Sequence, residues 1–220
     1  MALHPDLNNE QLGVLHALVR EIEDRINRTL SYDQVVTTFK RIRNGQLDCR
    51  LSVGENRFVG GKMVLHLGYG LRTADDFRQS LRADDCLIDE GADALVGNHG
   101  FMVCQEEIEV TLCAVTVAQL GFKLGSTLEQ ACQRAGSLGY RILISEAGPR
   151  LCEQYKGQPA GERVILVTKP IQNLKGELRL FAVEKMANGG QWLTTANGNP
   201  DYMYGPETIW IFGAPLPGAL

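Results

Sequence analysis

No stretch of this chain approaches the ~20 consecutive apolar residues that a membrane-spanning helix needs. The opening MALHPDLNNEQ has no basic segment followed by an apolar core, so a secretory signal is not expected. Both shortages point to a soluble, cytoplasmic protein with no membrane partner. Basic residues are also short: 22 Lys and Arg against 26 Asp and Glu leave a net charge of −4, which argues against broad attraction to phosphate backbones. Nucleic-acid binding would require Lys40, Arg41, Arg43 and Arg50 to gather on one face. The six cysteines (49, 86, 104, 113, 132 and 152) include no C-x-x-C pair and no histidine at zinc-finger spacing. Small buried thiols in a reducing compartment are the expectation, with no metal ion and no cofactor.

What is present fits an ordinary globular protein of 220 residues, 44% hydrophobic and 22% charged. Asn8 and Gln11 form a capping pair before an amphipathic helix whose stripe is Leu12, Leu15, Leu18, Ile22, Ile26 and Leu30. Ser31 and Gln34 open a second helix, with Val35, Phe39 and Ile42 inside and Asn44-Gly45 as the stop. Residues 1–45 therefore read as a helical hairpin layer on the sheet of an α+β domain, 46–220, although the same stripe would serve a homodimer. LDCRLSV (47–53) and MVLHL (63–67) read as strands, and Thr73 with Asp76 as a capping box that turns Phe77 and Leu81 inward.

The central block has the clearest punctuation. IEVTLCAV (108–115) is a strand, Ser126 and Glu129 in S-T-L-E cap a helix ending near Gly139, and RILIS (141–145) is a further strand. Pro149 begins a short helix, and RVILVT (163–168) follows as a strand. Beyond it, ELRLFAVEK (177–185) and QWLTTA (191–196) flank Ala-Asn-Gly-Gly, a hairpin signal. TIWIF (208–212) is the last strand. The expected architecture is α+β: the N-terminal helical hairpin on a mixed sheet, with a C-terminal antiparallel meander.

Several motifs imitate known chemistry. LGYGLRT (67–73) gives G-x-G-x-x-T between a strand and a helix, with Asp89 at ribose distance, but Thr73 is fully explained as a cap. FVGGKM (58–63) fails as a P-loop because Met63 has no hydroxyl for magnesium. The acids Asp84, Asp85, Asp89, Glu90 and Asp93 match no calcium loop and read as a solvated face. His99, with the nearby acids Glu106 and Asp89, defines the one enzymatic alternative, a small hydrolase. Ser145-Glu146 at a strand end is a placement that enzymes use, and it also simply leads into the Pro149 helix.

The run from Glu107 to Phe212 resembles a family of bacterial proteins. It carries that family's E-x-G-P-x-L-x-x-Q-Y turn at Glu146, Gly148, Pro149, Leu151, Gln154 and Tyr155, and its Q-P-x-G-E turn at Gln158, Pro159, Gly161 and Glu162. The resemblance implies a bacterial origin and the element boundaries above, and it implies no activity. The last loop and strand are also similar in pattern to the end of C-type-lectin-like ligand-binding folds, an analogy of shape.

The loop NGNPDYMYGPE (197–207) and its neighbours supply the candidate binding surface: Trp192, Asn197, Asn199, Asp201, Tyr202, Tyr204 and Trp210. Flat aromatic faces beside amide donors and acceptors suit sugars, peptides or unstacked bases. The competing account is a long hairpin connection whose Asn, Gly and Pro make turns and whose aromatics cap the core. The functional expectation is a non-catalytic binding or interaction module that recognises a partner protein or small ligand through outward-facing aromatic residues.

Overall fold

The structure is a computed structural model, and it describes Phe58 and residues 60–215. The helical hairpin of 1–45, the strand at 47–53 and the four basic residues Lys40, Arg41, Arg43 and Arg50 lie outside the described residues.

The elements, in chain order, are β1 (Lys62–Leu67), α1 (Ala74–Ala83), β2 (Cys86–Ile88), α2 (Glu90–Val96), β3 (Ile108–Thr116), β4 (Ser126–Thr127) and α3 (Leu128–Ser137). They continue with α4 (Ala147–Gln154), β5 (Arg163–Leu166), β6 (Ile171–Gln172), β7 (Leu178–Lys185), β8 (Gln191–Asn197), β9 (Met203–Tyr204) and β10 (Ile209–Gly213). A mixed sheet runs in the order β1-β3-β10-β5-β7-β8-β2, with β6 paired to β7. β4 and β9 make a separate two-stranded ribbon. Among the described residues no helix is long and apolar enough to cross a membrane.

Period-two alternation sorts the central strands between two faces. Phe181 and Val183 of β7 and Ile211 of β10 join Phe77, Leu81, Leu95 and Leu151 in the core beneath α1, α2 and α4. Leu180, Ala182, Trp210 and Phe212 point the other way, into the core beneath α3. The alternation of β1 is half used: Met63, Leu65 and Leu67 are buried, while Lys62, Val64 and His66 are exposed. α4 lies unusually close to β7 because Gly148 has no side chain. A Cβ there would come within 2.6 Å of the Phe181 ring.

The hairpin β7–β8 forms as its turn residues indicate, with Lys185 opposite Gln191 and Arg179 opposite Asn197. A simple C-terminal meander does not follow. β10 leaves the hairpin and inserts between β3, to which it is antiparallel, and β5, to which it is parallel. The outer neighbour of β8 is instead β2, running parallel. The run Ile-Trp-Ile-Phe is apolar on both faces, and a strand of that kind is stable only in the middle of a doubly covered sheet.

Two local expectations also change. The segment 141–145 is not a strand: Arg141 bridges Gly213 at the end of β10, and Leu143 bridges Thr168 beyond β5. It crosses the sheet end, touching two strands once each. The cap of α3 is Thr127, whose hydroxyl accepts from Gln130 N–H at 3.1 Å while the Gln130 side chain accepts from Thr127 N–H at 3.0 Å. Ser126 is fully buried and paired opposite Tyr204, so its backbone belongs to the ribbon and the helix begins one residue later. The Thr73–Asp76 box at α1 forms as read, with Phe77 and Leu81 buried.

Candidate functional site

The loop 198–207 is held along its whole length. Asn197 Oδ1 accepts from Asn199 N–H at 2.9 Å, and Asn199 Oδ1 accepts from Asp201 N–H at 3.0 Å, two successive side-chain turns. The loop's carbonyls then serve the first turn of α3: Leu128 N–H donates to Tyr202 O at 3.2 Å and Glu129 N–H to Pro200 O at 3.0 Å. Those helix amides have no partner within the helix, so the loop supplies one. On the other side Ala118 N–H donates to Pro206 O at 2.9 Å. Loop 198–207 and segment 117–127 therefore form one backbone-bonded face at the end of α3.

The predicted aromatic residues divide across this face. Trp210 is 0% exposed and Tyr204 7%, both in the core beneath α3, with ring centroids 4.6 Å apart. The Tyr204 hydroxyl donates to the Asn197 carbonyl, and burial pushes its pKa up to about 12. These two rings are core, contrary to the outward cluster expected. Tyr202 stacks edge-on against Tyr204 at 4.8 Å and is 46% exposed. Trp192 is elsewhere, half-buried on β8 with the exposed Leu87 of β2 directly beside it. Asn197 and Asn199 hold the loop's turns, and Asp201 is exposed at its tip. Two exposed apolar residues that the pattern reading did not single out lie on the same pair of segments: Met203, 58% exposed, and Leu124, 96% exposed two residues before β4. A lone leucine in a Gly-bounded loop (Gly121-Phe-Lys-Leu-Gly125) was the available signal.

A second polar constellation lies at the N-terminal end of α4. Glu146 is fully buried, and its carboxylate accepts from Gly68 N–H and Cys104 N–H, each at 2.7 Å. Arg150 donates to Glu153 at 3.1 Å and to the Tyr69 carbonyl at 2.7 Å, with Glu146 at 3.4 Å. Burial, the larger effect, pushes the Glu153 carboxyl above its ordinary value, and the Arg150 guanidinium only partly offsets it. The spacing 146, 150, 153 places three charges on one helix stripe, a signal present in the sequence but masked there by the Gly-Pro turn. This corner ties α4 to the loop before α1 and to the strand-less segment 102–104. The Gly68 amide, which a nucleotide loop would aim at phosphate, is committed to Glu146. Gly68 itself is required, with φ +76° and a notional Cβ only 2.0 Å from Glu106 O.

The remaining sequence motifs resolve into local roles. Asp89 caps α2 by accepting from Ala92 N–H at 2.6 Å. Asp93 pairs with Arg78 at 2.5 Å, and Asp84 with Lys156 at 3.4 Å. His99 is exposed and makes no hydrogen bond or ion pair with Asp89 or Glu106 among the described residues. Among the described residues the histidine that does approach a carboxylate is His66, 3.6 Å from Glu109 on the open face of β1 and β3. Its backbone N–H and C=O are both bonded by the Gln154 side chain, at 3.1 and 3.0 Å, which closes the sheet edge at that residue. No group of three or more His, Cys, Asp or Glu side chains among the described residues is gathered as a metal site would be.

Comparison with other proteins supplies no further constraint: no family model, curated protein or solved structure matches the chain. The bacterial resemblance stands on its quoted residues alone.

Proposed function

We propose that this protein is a binding module that engages a partner protein through the face built from loop 198–207 and the segment 121–127. The observation that carries the reading is the combination of three exposed apolar side chains, Leu124, Tyr202 and Met203, with a backbone that is already hydrogen-bonded on both sides. Large apolar groups held on a preorganised loop lose little conformational entropy on association, and an exposed aromatic is a frequent energetic anchor of interfaces. The buried rings of Tyr204 and Trp210 serve as the platform beneath Tyr202 rather than as contacts.

Site-specific photo-cross-linking tests this reading. A benzophenone side chain replacing Met203 is expected to give a discrete adduct in lysate of the native host, and Tyr202→Ser in the same chain is expected to abolish it. The same group at Leu174, 96% exposed on the β6–β7 turn, serves as control. Identical adducts from both positions, or an adduct indifferent to Tyr202, reject the binding face.

A further inference from the structure

We infer that Cys86 and Cys152 form a redox latch: a low-molecular-weight disulfide of the glutathione type converts the two thiols into an intramolecular disulfide that fastens the edge strand β2 to α4. The inference is independent of the binding face proposed above.

Placement of the two thiols carries the argument. Cys86 opens β2 and Cys152 lies on α4, 66 residues further along the chain, and both are buried. The Cys86 thiol donates to the Cys152 carbonyl at 3.1 Å, and the two side chains are hydrogen-bonded to each other. Among the described residues no other two cysteines share a hydrogen bond. A disulfide brings its Cβ atoms within about 4.5 Å, and thiols already in mutual contact reach that with the least backbone movement.

While this corner is closed the pair is inert. The hydrogen bond with Cys86 and then burial hold the Cys152 thiol well above its ordinary pKa, with Lys156 acting the other way. The cover over the thiols is thin, however. β2 has three residues and, among the described residues, one strand neighbour, β8. Asp85, just before it, holds φ +55°, in the left-handed region that favours glycine. The half-exposed Lys156 ammonium donates to the Asp84 carbonyl at 3.1 Å, and the Cys86 sulfur lies 3.7 Å from that same carbonyl. One solvent-facing contact of a kind that contributes little to stability therefore closes the segment over Cys86. Local opening of residues 84–88 is the route by which an oxidant reaches it.

The chemistry balances as two thiol–disulfide exchanges. The Cys86 thiolate attacks one sulfur of the small disulfide and expels the other as a thiolate, leaving a mixed disulfide. On reclosure the Cys152 thiolate attacks the Cys86 sulfur and expels the second small thiolate. Two protein thiols are oxidised, one small disulfide is reduced to two thiols, and the two protons lost by the cysteines end on them.

The test incubates the full reduced chain, without denaturant, in mixtures of oxidised and reduced glutathione. All six cysteines are then mapped by peptide mass after free thiols are blocked. A Cys86–Cys152 peptide is expected as the predominant cross-link, reversed by dithiothreitol. In Cys152→Ser the reaction is expected to stop with glutathione attached to Cys86. Hydrogen exchange of the amides of residues 86–88 is expected to slow about tenfold in the oxidised chain. The latch is wrong if no Cys86–Cys152 peptide forms without denaturant, if other cysteine pairs form as readily, or if exchange at 86–88 is the same in both forms. The cross-link and the exchange rates are read on the unsubstituted chain, so the outcome stands even if Cys152→Ser fails to fold.

Discussion

At the α4 corner, charged side chains are buried and supply hydrogen bonds to backbone that would otherwise lack partners; at the 198–207 loop, amide side chains hold the turns and the carboxylates are left facing solvent. Glu146 accepts from two backbone amides contributed by segments 36 residues apart in the chain, Gly68 and Cys104 (104 − 68 = 36). The acids of the loop face, Asp201, Glu207 and Glu129, hold no such backbone contact through their side chains. A buried carboxylate of the first kind is explained by the fold alone, because an unpaired buried N–H costs as much as a lost hydrogen bond. An exposed carboxylate of the second kind has no structural debt to settle. Ser145-Glu146, a placement that enzymes use, thus turns out to be a tie between loops, while the acids of the loop stay in solvent.

Four variants sharpen that contrast. Glu146→Ala is expected to have the largest effect, roughly 3–5 kcal/mol of unfolding free energy in urea titration, because it strands two amides and leaves Arg150 with one carboxylate fewer. A loss below about 1 kcal/mol would show that the corner is wetter than its burial indicates. Trp210→Ala should cost roughly 3–5 kcal/mol by leaving a cavity beneath α3, which places this ring with the core and not with the binding surface.

Glu153→Gln has a smaller effect and the opposite sign. The folded-state pKa of Glu153 is raised, so its contribution is full below the unfolded value, ~4.3, and is lost as pH rises through the folded value. The amide does not titrate. The variant should therefore gain stability relative to the parent as pH goes from 4 to 7, and thermal melts across that range should converge at the acid end. A difference that is independent of pH would remove burial as the cause. The smallest effect is expected for Tyr202→Ser combined with Met203→Ser, within about 0.5 kcal/mol of the parent stability. A loss of several kcal/mol would mean that these side chains are structural, and the contrast between the two regions would collapse.

Much of the local structure was legible because it depends on near neighbours. The Thr73–Asp76 box, the β7–β8 hairpin and the positive-φ Gly139 after α3 each follow from a few adjacent side chains. The cap of α3 was displaced by one residue because S-T-L-E and T-L-E-Q overlap, and only pairing of Ser126 with Tyr204 chooses between them. The candidate site was legible as a loop but not as a surface. Neighbouring letters such as Met203 and Tyr204 fall on opposite sides of β9, which exposes the first and buries the second.

The amino-acid sequence by itself determined where most helices and strands of the described chain lie, the apolar faces of α1 and α3, and the turn chemistry of the loop, since these rest on periodicity and on side chains reaching three or four residues. Tertiary structure alone decided that β10 runs between β3 and β5, that Glu146 binds Gly68 and Cys104, and that Ser126 and Thr127 pair with the loop strand Met203–Tyr204. Those outcomes depend on which distant segments share a strand pair or a buried amide, and the free energy of such pairings belongs to the assembled core and not to any window of the chain.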